Sequence, residues 1–508
     1  MIISLICADD DNWAIGLRSI SSALKEAGHR TRLVFTCTGD EFLNEHSLEI
    51  IKSLSENSDL IGVSSMSRGS KKAKAIINAL KPLRKLIVWG GMHPTLYPED
   101  CVGHADMICR GEGEGFMIEL AGRLASGRDL GDIRNGAYKE NGRIILNEVR
   151  PLIGDLDKLP MVDFSFSDEF HVDGQATLRP HPPTSPASSI LFSGSRGCIF
   201  HCHYCSNSQL KTLYLGKGRY ARKMSISSFV ESTLKCREKF PHAKYFYFTD
   251  EDFFARPLDD FREFAAIYPE KVGLPFECMA SPQQITEEKM ALLVKTGLWR
   301  VDVGVESGSD RVKKEIYNRP VSNEIVLRSA GIVNRYPGVV TCYFFIIGNP
   351  YENRKDLLET IDLLRSLPTP YILRAYNLVF IPGTILFKKA CQDGIIAGLE
   401  DSGYELDFLA GLQYRNHPWK SNNLYLNSLI FLMAGKSTPH HLGLMPRILI
   451  PILVQPSLID FNNRHQAMSK ATITFARLWI KIRSKAANLA FKVLKNPGLI
   501  YNLKSFKK

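Results

Sequence analysis

Short apolar runs and helical stretches alternate along most of this chain. Near the N-terminus the order is IISLIC, then AIGLRSISSALKEAG closed by Gly28, then TRLVFT, a helix near 45 to 55, LIGVSS, a helix near 70 to 81, and KLIVW. Apolar runs of strand length, separated by amphipathic helices, predict parallel strands covered on both faces, which is a doubly wound domain. Such sheets bind ligands beyond the carboxyl ends of their strands, here the loops at 8–12, 64–68, 90–95 and 110–115. From about 127 the pattern loosens, and HPPTSPASS ends the stretch as a linker. A second alternating series opens at Ser189 with SILFSG, YFYFTD, PFECMA, WRVDVGVES, VVTCYFFIIG and ILRAYNLVF, separated by helices. Six such units predict a complete or partial (β/α) barrel with its chemistry at the C-terminal strand ends. The expected division is 1–145 doubly wound, 146–188 linker, 189–400 barrel, and 401–508 a helical, basic C-terminal region.

Composition alters this picture at two points. The 508 residues are 44% apolar and 23% charged, as in a globular chain of more than one domain. The net charge of +11 is not spread evenly. Residues 441–508 carry twelve Lys or Arg against Asp460 alone, and the remainder is balanced at 52 against 52. Within 473–495, Phe475, Leu478, Trp479, Ile482, Leu489 and Val493 recur at helical spacing, with Arg477, Lys481, Lys485, Lys492 and Lys495 on another face. Such a helix serves equally as a cap on the barrel or as a peripheral contact with an anionic membrane; nucleic acid ranks below both. The N-terminus has neither a basic n-region nor a long apolar run, which predicts a cytoplasmic chain without disulfides.

Eight of the eleven cysteines are isolated along the chain, but three are not. SGSRGCIFHCHYCSNSQL places Cys198, Cys202 and Cys205 at C-x3-C-x2-C just after the first barrel strand. Three thiolates on one loop bind three irons of a cubane and leave the fourth open; zinc, completed by His201 or His203, is the other occupant the donors allow. Literally matched, C-x3-C-x-aromatic-C resembles the signature of the radical SAM superfamily over about 189–400. That resemblance implies a [4Fe-4S] cluster whose open iron chelates S-adenosylmethionine. One electron, from a donor such as flavodoxin or ferredoxin, then yields methionine and a 5'-deoxyadenosyl radical. It also implies S-adenosylmethionine contacts from Tyr204, from Asp250 and Asp252 with their neighbour Glu251, from Gly304, Glu306 and Ser307 of VDVGVESGSD, and from Gly348 and Pro350 of FFIIGNPYEN; FIPGT at 380–384 resembles the end of the last strand.

WGGMHPTLYPED followed by DMICRGEGEG resembles the cobalamin-binding domain of the B12-dependent branch. It implies cobalamin contacts from Gly90, Gly91, His93, Gly111, Glu112 and Gly113. No D-x-H-x-x-G fingerprint occurs, so no axial histidine is expected. The implied activity is cobalamin-dependent methylation of an unactivated carbon on a bulky small molecule, lipid-like or polycyclic. Cyclisation, rearrangement or carbon-carbon coupling on the same domains is the alternative enzyme, and a corrinoid or redox sensor is the alternative without catalysis.

Overall fold

The computed structural model describes residues 1–36, 43–173, 178–180, 189–403, 423–433 and 450–465. Two compact units form. One gathers 1–199, 204–243 and 381–388, and the other gathers 200–203, 244–380 and the residues from 389 onward.

The first unit is built on a nine-stranded sheet. Its parallel centre holds β1 (Ile2–Cys7), β2 (Arg30–Phe35), β3 (Leu60–Ser64), β4 (Leu86–Gly90) and β5 (Met107–Cys109) in the order β5-β4-β3-β1-β2. Antiparallel strands β6 (Gly136–Glu140) and β7 (Arg143–Leu146) extend it beyond β5. On the other edge, β8 (Glu169–Val172) pairs parallel to β2, and β9 (Leu178–Pro180) pairs antiparallel to β8. The strands are apolar on both faces because both faces are covered. Ile3, Leu5 and Cys7 of β1 pack with Leu17, Leu24, Phe116 and Leu120 from the helices Ile15–Glu26 and Glu114–Ala125. Ile6, between them in sequence, packs with Ala73, Ile76, Ile77 and Leu80 of the helix Ser70–Leu80 and Ile51 of Glu45–Ser55. This two-residue alternation divided between two helical layers is the doubly wound arrangement.

The expected linker is largely a built part of this unit. Besides β8, it supplies the acids that neutralise the first helix. Arg18 is buried and forms a bidentate pair with Glu169, 2.7 and 2.8 Å, while its guanidinium lies 4.6 Å from the Phe35 ring centroid. Lys25 pairs with Asp163 at 2.6 Å. Local composition could not reveal a strand whose reason for being there is a cation 151 residues away. Replacing Arg18 with Met strands the Glu169 carboxylate, and we expect urea unfolding to register a loss of about 3–5 kcal/mol.

Three further strands follow: β10 (Ser189–Phe192) is the first strand of a six-stranded sheet, and β11 (Ser195–Arg196) and β12 (Arg222–Lys223) form a separate antiparallel pair. The six-stranded sheet thus opens at Ser189, where the alternation of strands and helices predicts its start.

In the second unit β13 (Tyr245–Phe248), β14 (Phe276–Ala280), β15 (Leu298–Glu306), β16 (Val340–Ile347) and β17 (Ile372–Asn377) run parallel in sequence order. Helices Leu258–Lys271, Glu287–Thr296, Asn323–Asn334 and Arg354–Ser366 connect them, giving a partial barrel. Val301, Val303 and Val305 of β15 are buried, while Arg300, Asp302, Gly304 and Glu306 alternate with them on the opposite face. Helices Leu424–Met433 and Pro456–His465 follow. The basic helix expected over 473–495 lies outside the described residues. No helix among the described residues is long and apolar enough to cross a membrane.

Candidate active site

The cysteine loop is shaped by backbone before side chains enter. Gly197 has a φ of +79°, and a Cβ there would meet the Tyr220 carbonyl oxygen at 2.5 Å, so only glycine admits the turn into Cys198. Cys205 occupies the N-cap position of the helix Ser206–Leu213. Tyr220 Oη donates to Asn207 Oδ1 at 2.7 Å, and this pins the amide so that Nδ2 faces Cys205 Sγ at 3.8 Å. An oriented N–H toward a thiolate stabilises the charged sulfur and any metal it holds.

In the second unit, Arg319 makes the corresponding contact to Cys202. Its Nη1 lies 3.7 Å from Cys202 Sγ, its Nη2 donates to the Gly304 carbonyl at 3.0 Å and to Ser281 Oγ at 3.3 Å, and the guanidinium lies 5.2 Å from the Phe200 ring centroid. One side chain thus joins a cysteine to the ends of β14 and β15. The sequence pattern gave no sign of it, because EIYNRP carries no periodicity or glycine signal. The position is reached through Asn318, which adopts a left-handed φ of +48° and donates from Nδ2 to the His201 carbonyl at 2.8 Å.

The predicted S-adenosylmethionine residues of the second unit collect at these strand ends. Asp250 and Asp252 follow β13 and are both buried, with Arg256 3.9 Å from Asp250. Burial pushes Asp252 up to about 6 against the opposing pull of Ser281 and the Arg319 charge, and neither of its carboxylate oxygens has a well-formed hydrogen bond. Glu306 has a φ of +71°, a strained conformation for a residue with a side chain. A Cβ on Gly304 would stand 2.6 Å from Glu306 Oε1 and 3.2 Å from Arg319 Nη2, so this glycine admits those two side chains over the strand. Ser307 is buried and turns inward, donating to Glu352 Oε1 at 3.3 Å. Gly348, φ +71°, donates its N–H to Asn427 Oδ1 at 3.1 Å, and Pro350 is half-buried beyond it. Tyr204, in the first unit, is half-buried beside Cys205.

Glu352 was not singled out by sequence. It is buried with Oε2 unbonded, and burial raises its carboxyl to about 8. Folding therefore retains a proton on Glu352 that the unfolded chain releases between the ordinary glutamate range and pH 8, and stability falls as pH rises through that window. Glu352→Gln should flatten the fall, gaining roughly 1–3 kcal/mol over the parent at pH 8 and almost nothing near pH 4, as read by thermal melts across pH.

At the strand ends of the first unit, Gly91 has a φ of +105°, and a Cβ there would meet the Ser65 carbonyl at 2.5 Å; the β4 turn closes tightly on β3, and Met66 beside it is 52% exposed. Gly90, at the end of β4, is half-buried, and a Cβ there would reach Cys109 only at 3.5 Å. His93 is fully buried, with Nδ1 3.2 Å from Ser67 Oγ and Nε2 2.9 Å from Asp100 Oδ2. Both ring nitrogens face protein groups, so His93 braces this loop from within. The RGEGEG segment is also turned to internal use. A Cβ on Gly111 would coincide with the Tyr214 hydroxyl at 1.9 Å, and that hydroxyl accepts from Glu112 N at 2.7 Å. A Cβ on Gly113 would meet Ile20 at 2.7 Å. Glu112 pairs with Arg196 at 3.2 Å and Arg222 at 2.9 Å, and Glu114 pairs with Arg196 at 2.5 Å, where the guanidinium holds the Glu114 carboxyl below its usual range despite burial. Internal partners thus take up much of the charge and backbone of this loop, while Gly111 and Glu112 remain half-buried.

A family model of the B12 binding domain matches residues 2–121, and one of the radical SAM superfamily matches residues 192–364. The chain is a B12-binding radical SAM enzyme. An uncharacterized methyltransferase of Pyrococcus horikoshii is 26% identical over 381 residues, spanning 69% of this chain and 76% of that protein. Cytidylyl-2-hydroxyethylphosphonate methyltransferase of Streptomyces wedmorensis is 24% identical over 389 residues, 66% of this chain and 69% of that one. In fold, the enzyme is similar to the radical S-adenosylmethionine methyltransferase TsrM from Kitasatospora setae, solved with cobalamin and a [4Fe-4S] cluster. The TM-score is 0.61 at 16% identity, covering 77% of this chain and 78% of that one.

Proposed function

We propose that this radical SAM enzyme cleaves S-adenosylmethionine reductively at a cluster held by Cys198, Cys202 and Cys205, and methylates an unactivated carbon of a bulky small molecule, lipid-like or polycyclic, with cobalamin as methyl carrier. The observation that carries the reading is Arg319, a cation shared among Cys202 Sγ, the Gly304 carbonyl and Ser281. Such a contact suits a thiolate-bound cluster with an anionic ligand nearby and has no use in an inert core. The donor set fits: sulfurs faced by oriented N–H groups, and a buried carboxylate at Asp252 without well-formed hydrogen bonds, able to take up an ammonium.

Within this reading Asp250 and Asp252 receive the methionyl amine, and Glu306 and Ser307 bind the ribose. The turn at Gly348 and Pro350 lines the adenine, and Tyr204 shapes the approach to the cluster. In the first unit, Gly90 and the Gly91 turn with exposed Met66 offer the corrinoid a backbone and apolar surface; His93 braces that loop, and Gly111, Glu112 and Gly113 hold its neighbour in shape. When bound, these groups supply a one-electron reductant, a carbon radical and a methyl donor. The protein's own work is to orient them and keep water from the radical.

Anaerobic reconstitution with iron, sulfide, cobalamin, a reductant and S-adenosylmethionine tests the reading by mass spectrometry. S-adenosylhomocysteine together with 5'-deoxyadenosine supports methylation. 5'-Deoxyadenosine alone points to cyclisation or another radical rearrangement.

A further inference from the structure

Reductive cleavage requires that an electron reach the cysteine loop, and the surface beside that loop has an unusual charge pattern. From Gly174 to Val230 the chain contains seven Lys or Arg and not one Asp or Glu. Two of the seven, Arg196 and Arg222, are spent on Glu112 and Glu114. Lys217 is paired with Glu148. Arg219 is exposed, and among the described residues no acid pairs with it; Lys211 is half-buried.

Two apolar side chains stand out in the same stretch. Leu215 is 83% exposed and Ile199, the residue after Cys198, is 42% exposed. They belong to one neighbourhood. Lys211 Nζ donates to the Ile199 carbonyl at 3.2 Å, fixing the last turn of the helix Ser206–Leu213 against the cysteine loop. Leu215 lies four residues further, on the turn where Leu215 N donates to the Thr212 carbonyl and Lys217 N to that of Tyr214. Tyr214 beneath it is buried with Val149 and Leu152, so the turn that lifts Leu215 into solvent is anchored. Eight helical residues, roughly 12 Å, separate this turn from Cys205.

An exposed leucine on an anchored turn, with Lys211 and Arg219 each four residues from it in sequence and the turn tied to a cysteine loop, has the makeup of a small protein-docking surface: an apolar centre with cations of one sign about it. We propose that Ile199, Lys211, Leu215 and Arg219 form the docking surface for an acidic protein that carries single electrons at low potential. The inference rests on the proposed reductive cleavage and adds the face through which the electron enters. In the encounter the carrier is oxidised by one electron and the cluster reduced by one, and no atom is transferred. The contact is small and transient, and attraction between unlike charges sets its rate.

The test compares two reductants on the reconstituted full-length enzyme, following bleaching of the cluster by stopped flow and its reduced signal by electron paramagnetic resonance. With a fully reduced flavodoxin of strongly negative net charge, Arg219→Glu combined with Leu215→Ser should slow reduction by about tenfold or more at low salt, and the difference should shrink as salt is raised. With dithionite, a small anion that needs no docking surface, the double variant should match the parent. Equal rates with flavodoxin would overturn the proposal, as would loss of binding to anionic phosphatidylserine vesicles with flavodoxin rates unchanged, which would make this face a lipid contact. A parent protein that assembles no cluster would instead overturn the reading beneath it.

Discussion

Cys202→Ala, reconstituted anaerobically, is expected to lose the visible absorbance of the cluster and to form no 5'-deoxyadenosine. Three thiolates already leave one iron without a protein ligand, and removing a second anchor leaves a cubane held by two. Cys202 is also the buried member of the trio and an acceptor for Arg319, so the variant removes one of the partners of a buried guanidinium as well. Cys236→Ala is the control. That thiol is buried in the helix Ile226–Lys239 and raised well above its usual range by burial alone, so it packs as a small apolar group and its loss should leave the cluster intact. Cleavage retained in Cys202→Ala would overturn the cysteine assignment.

Arg319→Met should carry the second largest effect. It removes a cation from Cys202 Sγ, Gly304 and Ser281 at once, and one of the charges that offset the burial of Asp252. Charge-assisted hydrogen bonds contribute about 1.5–3 kcal/mol each, so losing two predicts a fall on the order of 100-fold in 5'-deoxyadenosine formation. Two further readouts separate this from general damage. The cluster's midpoint potential should move to lower values, because a positive charge beside a thiolate favours the reduced, more negative state. Asp252, already raised to about 6, should rise further and shift the acid limb of the pH profile upward. Arg319→Lys should recover part of the potential and little of the rate, since a point charge does not reproduce a planar fork. An unchanged rate and potential in Arg319→Met would remove Arg319 from the site.

What the sequence revealed here is local, and what it concealed is long-range. Strands β1 to β4, β10 and β13 to β17, the helices at 45–55 and 70–80, and the position of the cysteines after β10 are written in periodicity and spacing over a few residues. Arg319 is not, because its three partners lie between 15 and 117 residues away. The stretch 146–188 reads as a linker by composition, yet its acids neutralise Arg18 and Lys25. RGEGEG illustrates a subtler gap. Its glycines announce that something comes close to the backbone, and Tyr214 and Ile20 turn out to be among what comes close; a glycine signals a need for space but not the identity of the occupant.

The fit of the Tyr214 hydroxyl against Gly111 bears on how such enzymes can be recombined. Residues 195–223 supply the tyrosine and both arginines that complete the RGEGEG loop, although the radical SAM match already begins at 192. A chimera spliced at the sequence boundary would inherit a loop from one parent and its filling from another. Grafts that take Arg196, Tyr214 and Arg222 from the same parent as the RGEGEG loop should keep that loop folded where grafts of 1–121 do not.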